Sequence, residues 1–187
     1  MKSDRVIKEA LKKLPTGIYA TYDEIIQQLC TQYPENIGEI KTILRWLIGS
    51  ITPITLDQLA EAVSIRPRDK RLERDGIAND VLDLVACCGS LATLYSIDME
   101  DNHVDDLRGS GTILIKLSHA SVEDYFMSSN LKVGPSSSFF MDLPSVHLEI
   151  AKTCLQYIGF QDFQKPVKFE VKQTSTWQVT VLMFCRL

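Results

Sequence analysis

The sequence predicts a mainly α-helical fold with a small β-hairpin, and three patterns support that prediction. Apolar residues recur at helical spacing from 43 to 63, with a break between Gly49 and Pro53. Two later runs, 91–99 and 111–119, have the composition and the shorter period of β-strands. The polar, glycine-containing segment between these two runs is typical of a long hairpin loop. We therefore expect a set of helices followed by one hairpin.

The two central helices are the best-defined elements of this prediction. The first runs from 35 to 49, and Pro53 cannot continue it. The second runs from 55 to 64, where Thr55 is placed to cap it and Gln58 completes a capping box. Two helices joined by a short turn are half of a helix-turn-helix core. The residues expected on their buried faces are Ile43, Leu44, Trp46, Leu47, Ile48, Leu56, Leu59, Ala60 and Val63.

A third helix completes the core before the hairpin. Asn79 or Asp80 is placed to cap it, and it is expected to run to about Cys88. Three helices followed by a two-stranded hairpin are the pattern of a winged helix-turn-helix, with 91–119 as the wing. Such elements are stable only around a common core. We therefore expect one residue from each to meet in a single cluster, namely Trp46, Leu59, Val85 and Ile115.

Further helices are predicted on both sides of this winged helix. Apolar residues recur at helical spacing in 3–13 and in 21–32 upstream. Downstream, 120–129 is expected to be helical with Ser121 as its cap, and 145–159 forms the last helix. The apolar residues of that last helix, which repeat at intervals of three and four, are Val146, Ile150, Ala151, Cys154, Leu155 and Ile158.

These patterns divide the chain into four parts. A helical segment occupies 1–34, the winged-helix domain 35–129, and a loop with its following helix 130–162. The remaining tail, 163–187, is unassigned, although its sequence alternates in the manner of a strand. Because an unpaired apolar strand tends to aggregate, this segment either pairs with a strand that the sequence does not reveal or is poorly ordered. The alternating apolar residues of the tail are Trp177, Val179, Val181 and Met183.

Composition restricts the class of protein. Hydrophobic residues make up 45% and charged residues 24% of the chain, as in ordinary soluble globular proteins. No run of apolar residues is long enough for a membrane span, and the N-terminus is too charged for a secretory signal peptide. Five irregularly spaced cysteines, none in a CxxC pair, are typical of reduced thiols. We therefore expect a cytoplasmic protein that does not associate with membranes.

Motifs that would support catalysis are not found in the sequence. It has no GxxxxGK[ST] phosphate-binding loop, no GxSxG nucleophile elbow and no HExxH zinc motif. The three histidines, His103, His119 and His147, are too dispersed to predict a metal site. The expectation is therefore a non-enzymatic protein with no catalytic residue, no metal and no cofactor that the chain binds alone.

The most charged stretch is 65–76, which contains five basic and three acidic residues. One interpretation is a loop that contacts phosphates or a partner protein. Mixed signs weaken any attractive field, however, and this favours the other interpretation, a solvated connection.

Many winged helices bind DNA through their third helix, so nucleic-acid binding is the alternative function. Here that helix carries Asp80 and Asp83 and has no lysine or arginine, and the hairpin tip is acidic as well. Carboxylates repel phosphates, and the chain has a formal net charge of -4. The sequence therefore argues against nucleic acid as a partner, and the surfaces are expected to serve protein–protein interaction.

Four segments occur in a collinear order, namely LKKLPTGIYATYDEIIQQL (11–29), ILRWLIGSITPITLDQLAEAVSI (43–65), DVLDLVACCGSLATL (80–94) and IKLSHASVEDYFMS (115–128). Through these segments the chain resembles the region that follows the nucleotide-binding core in NACHT-type STAND NTPases, which include fungal signalling proteins with ankyrin or WD repeats. Its winged-helix part is similar to the GPI inositol-deacylase winged-helix domain, a name that does not imply deacylase activity. The resemblance covers about 8–160.

This resemblance implies a regulatory role without catalysis. In that family the NACHT core binds and hydrolyses ATP or GTP, the winged helix packs on the core and helps to hold its inactive form, and downstream repeats sense a ligand. The implied partners are a NACHT core and repeat domains. His119, within SHASVEDY (118–125), would contact a nucleotide only when a NACHT core is present. From the residues alone, the favoured interpretation is a structural histidine whose ring packs at the strand–helix junction while one nitrogen bonds to backbone.

Overall fold

The computed structural model describes residues 17–72, 81–97 and 112–161. Its helices are α1 (Ile18–Gln32), α2 (Ile37–Gly49), α3 (Leu56–Ser64), α4 (Val81–Ala86), α5 (Ala120–Met127) and α6 (Leu143–Ile158). Its strands are β1 (Ile54–Thr55), β2 (Ala92–Ile97) and β3 (Thr112–Leu117). The predicted helix at 3–13, the cap of the third core helix, the hairpin tip and the tail at 163–187 lie outside the described residues.

The central helix pair forms as predicted. The Thr55 hydroxyl accepts a hydrogen bond from the Gln58 amide at 3.2 Å, and the Gln58 side-chain oxygen accepts one from the Thr55 amide at 2.9 Å. This reciprocal pair confirms the capping box at the start of α3. Helix α2 begins at Ile37, two residues later than predicted, because Pro34–Asn36 forms a short 3-10 turn.

The sheet has three antiparallel strands in the order β1-β3-β2, one strand more than the predicted hairpin. In the hairpin, Ala92 pairs with Leu117 at one end and Ile97 with Thr112 at the other. Strand β1 adds to the opposite edge of β3, where Ile54 pairs with Ile115. The prediction missed β1 because two residues show no alternation in the sequence. Three helices, a hairpin and this short strand between the first two helices give the order of elements of a winged helix.

One hydrophobic core joins these elements. Trp46, Leu59, Val85 and Ile115 all belong to a single cluster of buried residues, which confirms the predicted meeting of the three helices and the sheet. Helices α1 and α6 contribute to the same cluster, α1 through residues such as Ile26. The α6 residues in this cluster are Val146, Ile150, Cys154 and Tyr157.

The buried face of helix α6 is narrower than the sequence predicted. Val146, Ile150 and Cys154 are buried as expected, but Ala151, Leu155 and Ile158 face solvent. The sequence pattern had combined two apolar faces of the same helix. The helix also begins at Leu143, because the Asp142 carboxylate accepts a hydrogen bond from the Ser145 amide and caps it.

The described part of the charged stretch, residues 65–72, packs against the end of α6, and the backbone carbonyls of the stretch make the contacts. The Gln156 side chain donates to the Arg66 carbonyl at 2.7 Å and to the Asp69 carbonyl at 3.2 Å. The Gln161 amide donates to the Lys70 carbonyl at 2.9 Å. The side chains of Arg66, Arg68, Lys70 and Arg71 are exposed. Among the described residues, no helix has the length and apolar character needed to cross a membrane.

Candidate functional site

His119 stands where β3 passes into α5, and it is the N-cap of that helix. Its Nδ1 atom accepts a hydrogen bond from the Ser121 amide at 3.1 Å. The predicted cap, Ser121, is wrong because this residue lies within the first turn of the helix. Histidine can replace the usual serine or aspartate at this position because Nδ1 is an acceptor at a similar reach from the backbone.

The Ser121 hydroxyl connects this junction to helix α1. Its Oγ atom lies 2.7 Å from His119 Nδ1 and 2.8 Å from the Tyr22 hydroxyl. Because Nδ1 accepts from the Ser121 amide, the proton of the neutral imidazole lies on Nε2. The predicted bond from a ring nitrogen to backbone is thus confirmed. The predicted packing of the ring is wrong, since His119 is exposed.

A second contact between α1 and α5 lies behind this network. The Tyr125 hydroxyl donates to Asp23 at 2.7 Å, and the Tyr125 ring contacts the rings of Tyr19, Tyr22 and Phe126 at centroid distances of 5.3 to 5.6 Å. Burial, followed by the bond to Asp23, raises the pKa of the Tyr125 hydroxyl well above its ordinary value. The hydroxyl therefore stays protonated and remains a donor. These contacts fix the position of α5, and with it the orientation of His119.

A cleft of about 320 Å³ opens beside the His119 ring. One wall is the turn at 50–54 and the other is formed by β3 and the start of α5. Its polar lining residues are Ser50, Thr52, Tyr95, Lys116, His119 and Glu123, while Ile54, Ile115 and Leu117 are among its apolar residues. The Lys116 ammonium lies 4.9 Å above the ring of Tyr95, which holds this cation against the sheet.

The cleft was not predicted from the sequence, and its polar groups can form hydrogen bonds with a bound molecule. The Nε2–H of His119 and the Lys116 ammonium can donate hydrogen bonds to an anionic or carbonyl group, and Glu123 can accept one. Ser121 does lie beside His119, but its hydroxyl also bonds Tyr22, and none of the described carboxylates bonds the ring. In a catalytic triad, a carboxylate orients the histidine that acts as the base for the serine hydroxyl. The pair of Ser121 and His119 does not have this arrangement.

The buried cysteines are poorly suited to act as nucleophiles. Burial raises the pKa of the Cys88 thiol to about 12, and burial together with Asp83 and Glu35 raises the pKa of Cys87. A thiol with a raised pKa has little thiolate at neutral pH. In the described ranges, no group of three or more His, Cys, Asp or Glu side chains is placed to hold a metal ion.

The helix that would enter a DNA groove is α4, which is six residues long in the described structure. Asp83 is exposed on it, and the sequence from Val81 to Ala86 contains no basic residue. A carboxylate at this position repels phosphates.

Comparison of the chain with protein-family models, with curated proteins and with solved structures gave no match.

Proposed function

We propose that this chain is a non-catalytic regulatory module of a NACHT-type STAND signalling protein, a cytoplasmic winged helix that packs on a nucleotide-binding core and couples it to downstream repeats. The resemblance of the four collinear segments suggests this role. The winged-helix order of elements supports it, because a module of this kind needs a rigid body that moves as one unit. The single core that joins α1 to α6 provides such a body.

The fixed, exposed imidazole of His119 is the observation that carries the proposal. Ser121 holds Nδ1, so Nε2–H points away from the backbone as a donor, and Lys116 adds a positive charge at the same cleft. A nucleotide held by a NACHT core presents phosphate oxygens, which accept such donors. The module would therefore sense the nucleotide through His119 while the core supplies the phosphate-binding loop.

Nucleic-acid binding through the third core helix, α4, receives no support from the charges on that helix. The exposed carboxylate of Asp83 and the absence of basic residues from Val81–Ala86 disfavour a groove-binding role for α4. A fluorescence titration against duplex DNA at low salt tests this alternative. Tight binding that weakens steeply with added salt would favour it over the regulatory module.

The proposal is tested by titrating the chain into a purified NACHT core loaded with nucleotide. His119→Asn is the informative variant because asparagine is a good N-cap, so it replaces the Nδ1 acceptor while removing Nε2–H. We expect the wild-type chain to bind and the variant to bind at least tenfold more weakly, a loss of about 1.4 kcal/mol. His147→Ala on α6 is the control, because His147 does not line the cleft. Equal affinities for all three chains would contradict a role for His119.

A further inference from the structure

Helix α6 has a second apolar face, which is exposed in the part of the chain that the structure describes. Leu148, Leu155 and Ile158 are 55%, 66% and 49% exposed, and Ala151 is exposed between them. Their spacing of three, four and three residues places them in one line along the helix. We refer to these four residues as the α6 stripe. An apolar line of this kind indicates a contact surface more strongly than scattered apolar residues do.

We propose that the α6 stripe binds a second copy of this chain, in a twofold-symmetric dimer in which the two α6 helices pack antiparallel. A twofold dimer buries the same patch on both copies, so that patch must be complementary to itself. The α6 stripe meets this requirement in its spacing, in its side-chain sizes and in the charges at its two ends.

The spacing of the stripe is the same when it is read in either direction. Its members lie five and two residues before Thr153, and two and five residues after it. A twofold axis at the level of Thr153 therefore places Leu148 beside Ile158 of the second copy. It also places Ala151 beside Leu155 of the second copy. A small side chain that faces a large one lets the two helices interdigitate, whereas two leucines at one level would hold them apart.

The charges at the two ends of the stripe are complementary in the same arrangement. The turn at 66–70 is held against the C-terminal end of α6 by Gln156 and Gln161. We refer to this segment as the basic turn, and its exposed basic side chains are those of Arg66, Arg68 and Lys70. Glu149 is exposed two turns before Gln156 and lies on the same side of the helix.

An antiparallel pair brings Glu149 of each copy to the basic turn of the other. The twofold axis at Thr153 places Glu149 at the level of residue 157 of the second copy, between the two glutamines that hold the basic turn. The same symmetry joins like flanks of the two helices, so both groups lie on one side of the contact. Opposite charges therefore meet at both ends, whereas a parallel pair would bring the two basic turns together.

The other charges beside the stripe are compatible with this arrangement. The Asp69 carboxylate accepts a hydrogen bond from the Arg66 amide at 2.7 Å, so it is engaged within the basic turn. Lys152 lies near the middle of α6, where its ammonium is 2.9 Å from Glu149. Because a carboxylate has two oxygens, Glu149 can bond Lys152 and still accept from the basic turn of the second copy.

The size of the stripe determines the strength of the expected association. Each copy contributes only three large apolar side chains, which is less than a permanent dimer interface contains. We therefore expect a reversible dimer that forms in the micromolar concentration range and dissociates on dilution.

Sedimentation equilibrium of the full chain, from low micromolar to near-millimolar concentration, tests the proposal. We expect a monomer–dimer equilibrium in the wild-type chain and an association at least about tenfold weaker in Leu155→Glu, because the dimer would press its carboxylate against apolar side chains. Leu155 is exposed in the monomer, so the variant keeps its fold, which circular dichroism checks. Val133→Glu is the matched control, since Val133 is 91% exposed and lies off the stripe.

A pair of exchanged side chains tests the antiparallel register. Ala151→Leu alone should weaken the dimer, because two leucines would then meet at one level. Leu155→Ala alone should also weaken it, because the contact is lost. The double variant Ala151→Leu, Leu155→Ala restores one large and one small side chain at each level, and we expect its affinity to return close to that of the wild-type chain.

Three results would overturn the proposal. One is a wild-type chain that stays monomeric at every concentration, and co-sedimentation of that monomer with phosphatidylserine vesicles would assign the stripe to an anionic lipid surface. Another is a dimer that Leu155→Glu weakens no more than Val133→Glu does, which would place the dimer contact on a different face. The third is a double variant that associates no better than the two single variants, which would contradict the antiparallel register.

Discussion

Gly49 and Ile150 lie so close together that a Cβ atom on Gly49 would be 2.5 Å from Cδ1 of Ile150. It would also lie 2.7 Å from Cγ1 of Val146. The glycine that ends α2 therefore also packs directly against α6. The sequence predicted the first role from the helix ending and gave no sign of the second, because the contact joins residues about a hundred positions apart.

Gly49→Ala is expected to destabilise the protein by about 1 to 3 kcal/mol, since the methyl group must displace two buried side chains. Urea denaturation measures the change. Gly38→Ala is the control, because a Cβ there meets nothing within 4 Å and alanine favours the helix, by up to about 1 kcal/mol. Loss of stability in both variants would show that the effect at Gly49 does not come from its contact with α6.

The histidine cap gives a second stability prediction. His119→Ala should lower the free energy of unfolding by about 1 kcal/mol because the Ser121 amide loses its acceptor, whereas His119→Asn should change it far less. Thermal unfolding followed by circular dichroism compares the two variants. A similar loss in both would mean that the cap does not contribute to stability.

The free energy of unfolding should fall at alkaline pH. The folded state holds the pKa of Cys88 at about 12, above its ordinary value of 9.0, and raises those of Tyr125 and Tyr157 above 10.0. The unfolded chain therefore loses these protons first, so the stability present below pH 9 falls as the pH rises towards 12. Cys88 alone can contribute up to about 1.4 kcal/mol for each pH unit in this window.

Urea denaturation at several pH values between 8 and 11 measures this decline. Tyr125→Phe should show a shallower fall above pH 10, since it removes one of the groups whose pKa is raised in the folded state. A stability that stays constant up to pH 11 would contradict the raised pKa values.

Thiol reactivity follows from the same burial. Cys87 and Cys88 are buried, while Cys30 is partly exposed. In the native protein at pH 8, alkylation followed by peptide mass spectrometry should label Cys30 well before either of the other two. Rapid labelling of Cys87 would instead identify an accessible, acidic thiol and would favour an enzyme that uses Cys87 as its nucleophile over the non-enzymatic role expected from the sequence.

The sequence predicted the elements whose cause is local. The capping box of Thr55 and Gln58 lies within four residues, so the pattern was sufficient to place the start of α3. The prediction failed where the structure of an element depends on a contact with residues far away in the sequence. Strand β1 exists because Ile54 meets Ile115, and α6 buries Val146 and Ile150 because Gly49 leaves room for them.

The candidate site was predicted only in part. His119 stood out because it ends an apolar strand just before a helix, but the assignment of the cap to Ser121 followed residue preference and was wrong. The cleft depends on the turn at 50–54 lying beside β3, which no local pattern records. The role of Tyr22 in holding Ser121 depends on a contact across 99 positions of the chain.

The regulatory role is tested most directly by the affinity of this chain for a NACHT core in two nucleotide states. If the winged helix holds the inactive form, it must bind the core loaded with a nucleoside diphosphate more tightly than the core loaded with a triphosphate analogue, and by linkage it must tighten diphosphate binding by the same factor. Isothermal titration calorimetry measures both affinities. We predict at least a fivefold preference for the diphosphate state, or about 1 kcal/mol of coupling. Equal affinity for both states, or no binding to either, would contradict the proposed function.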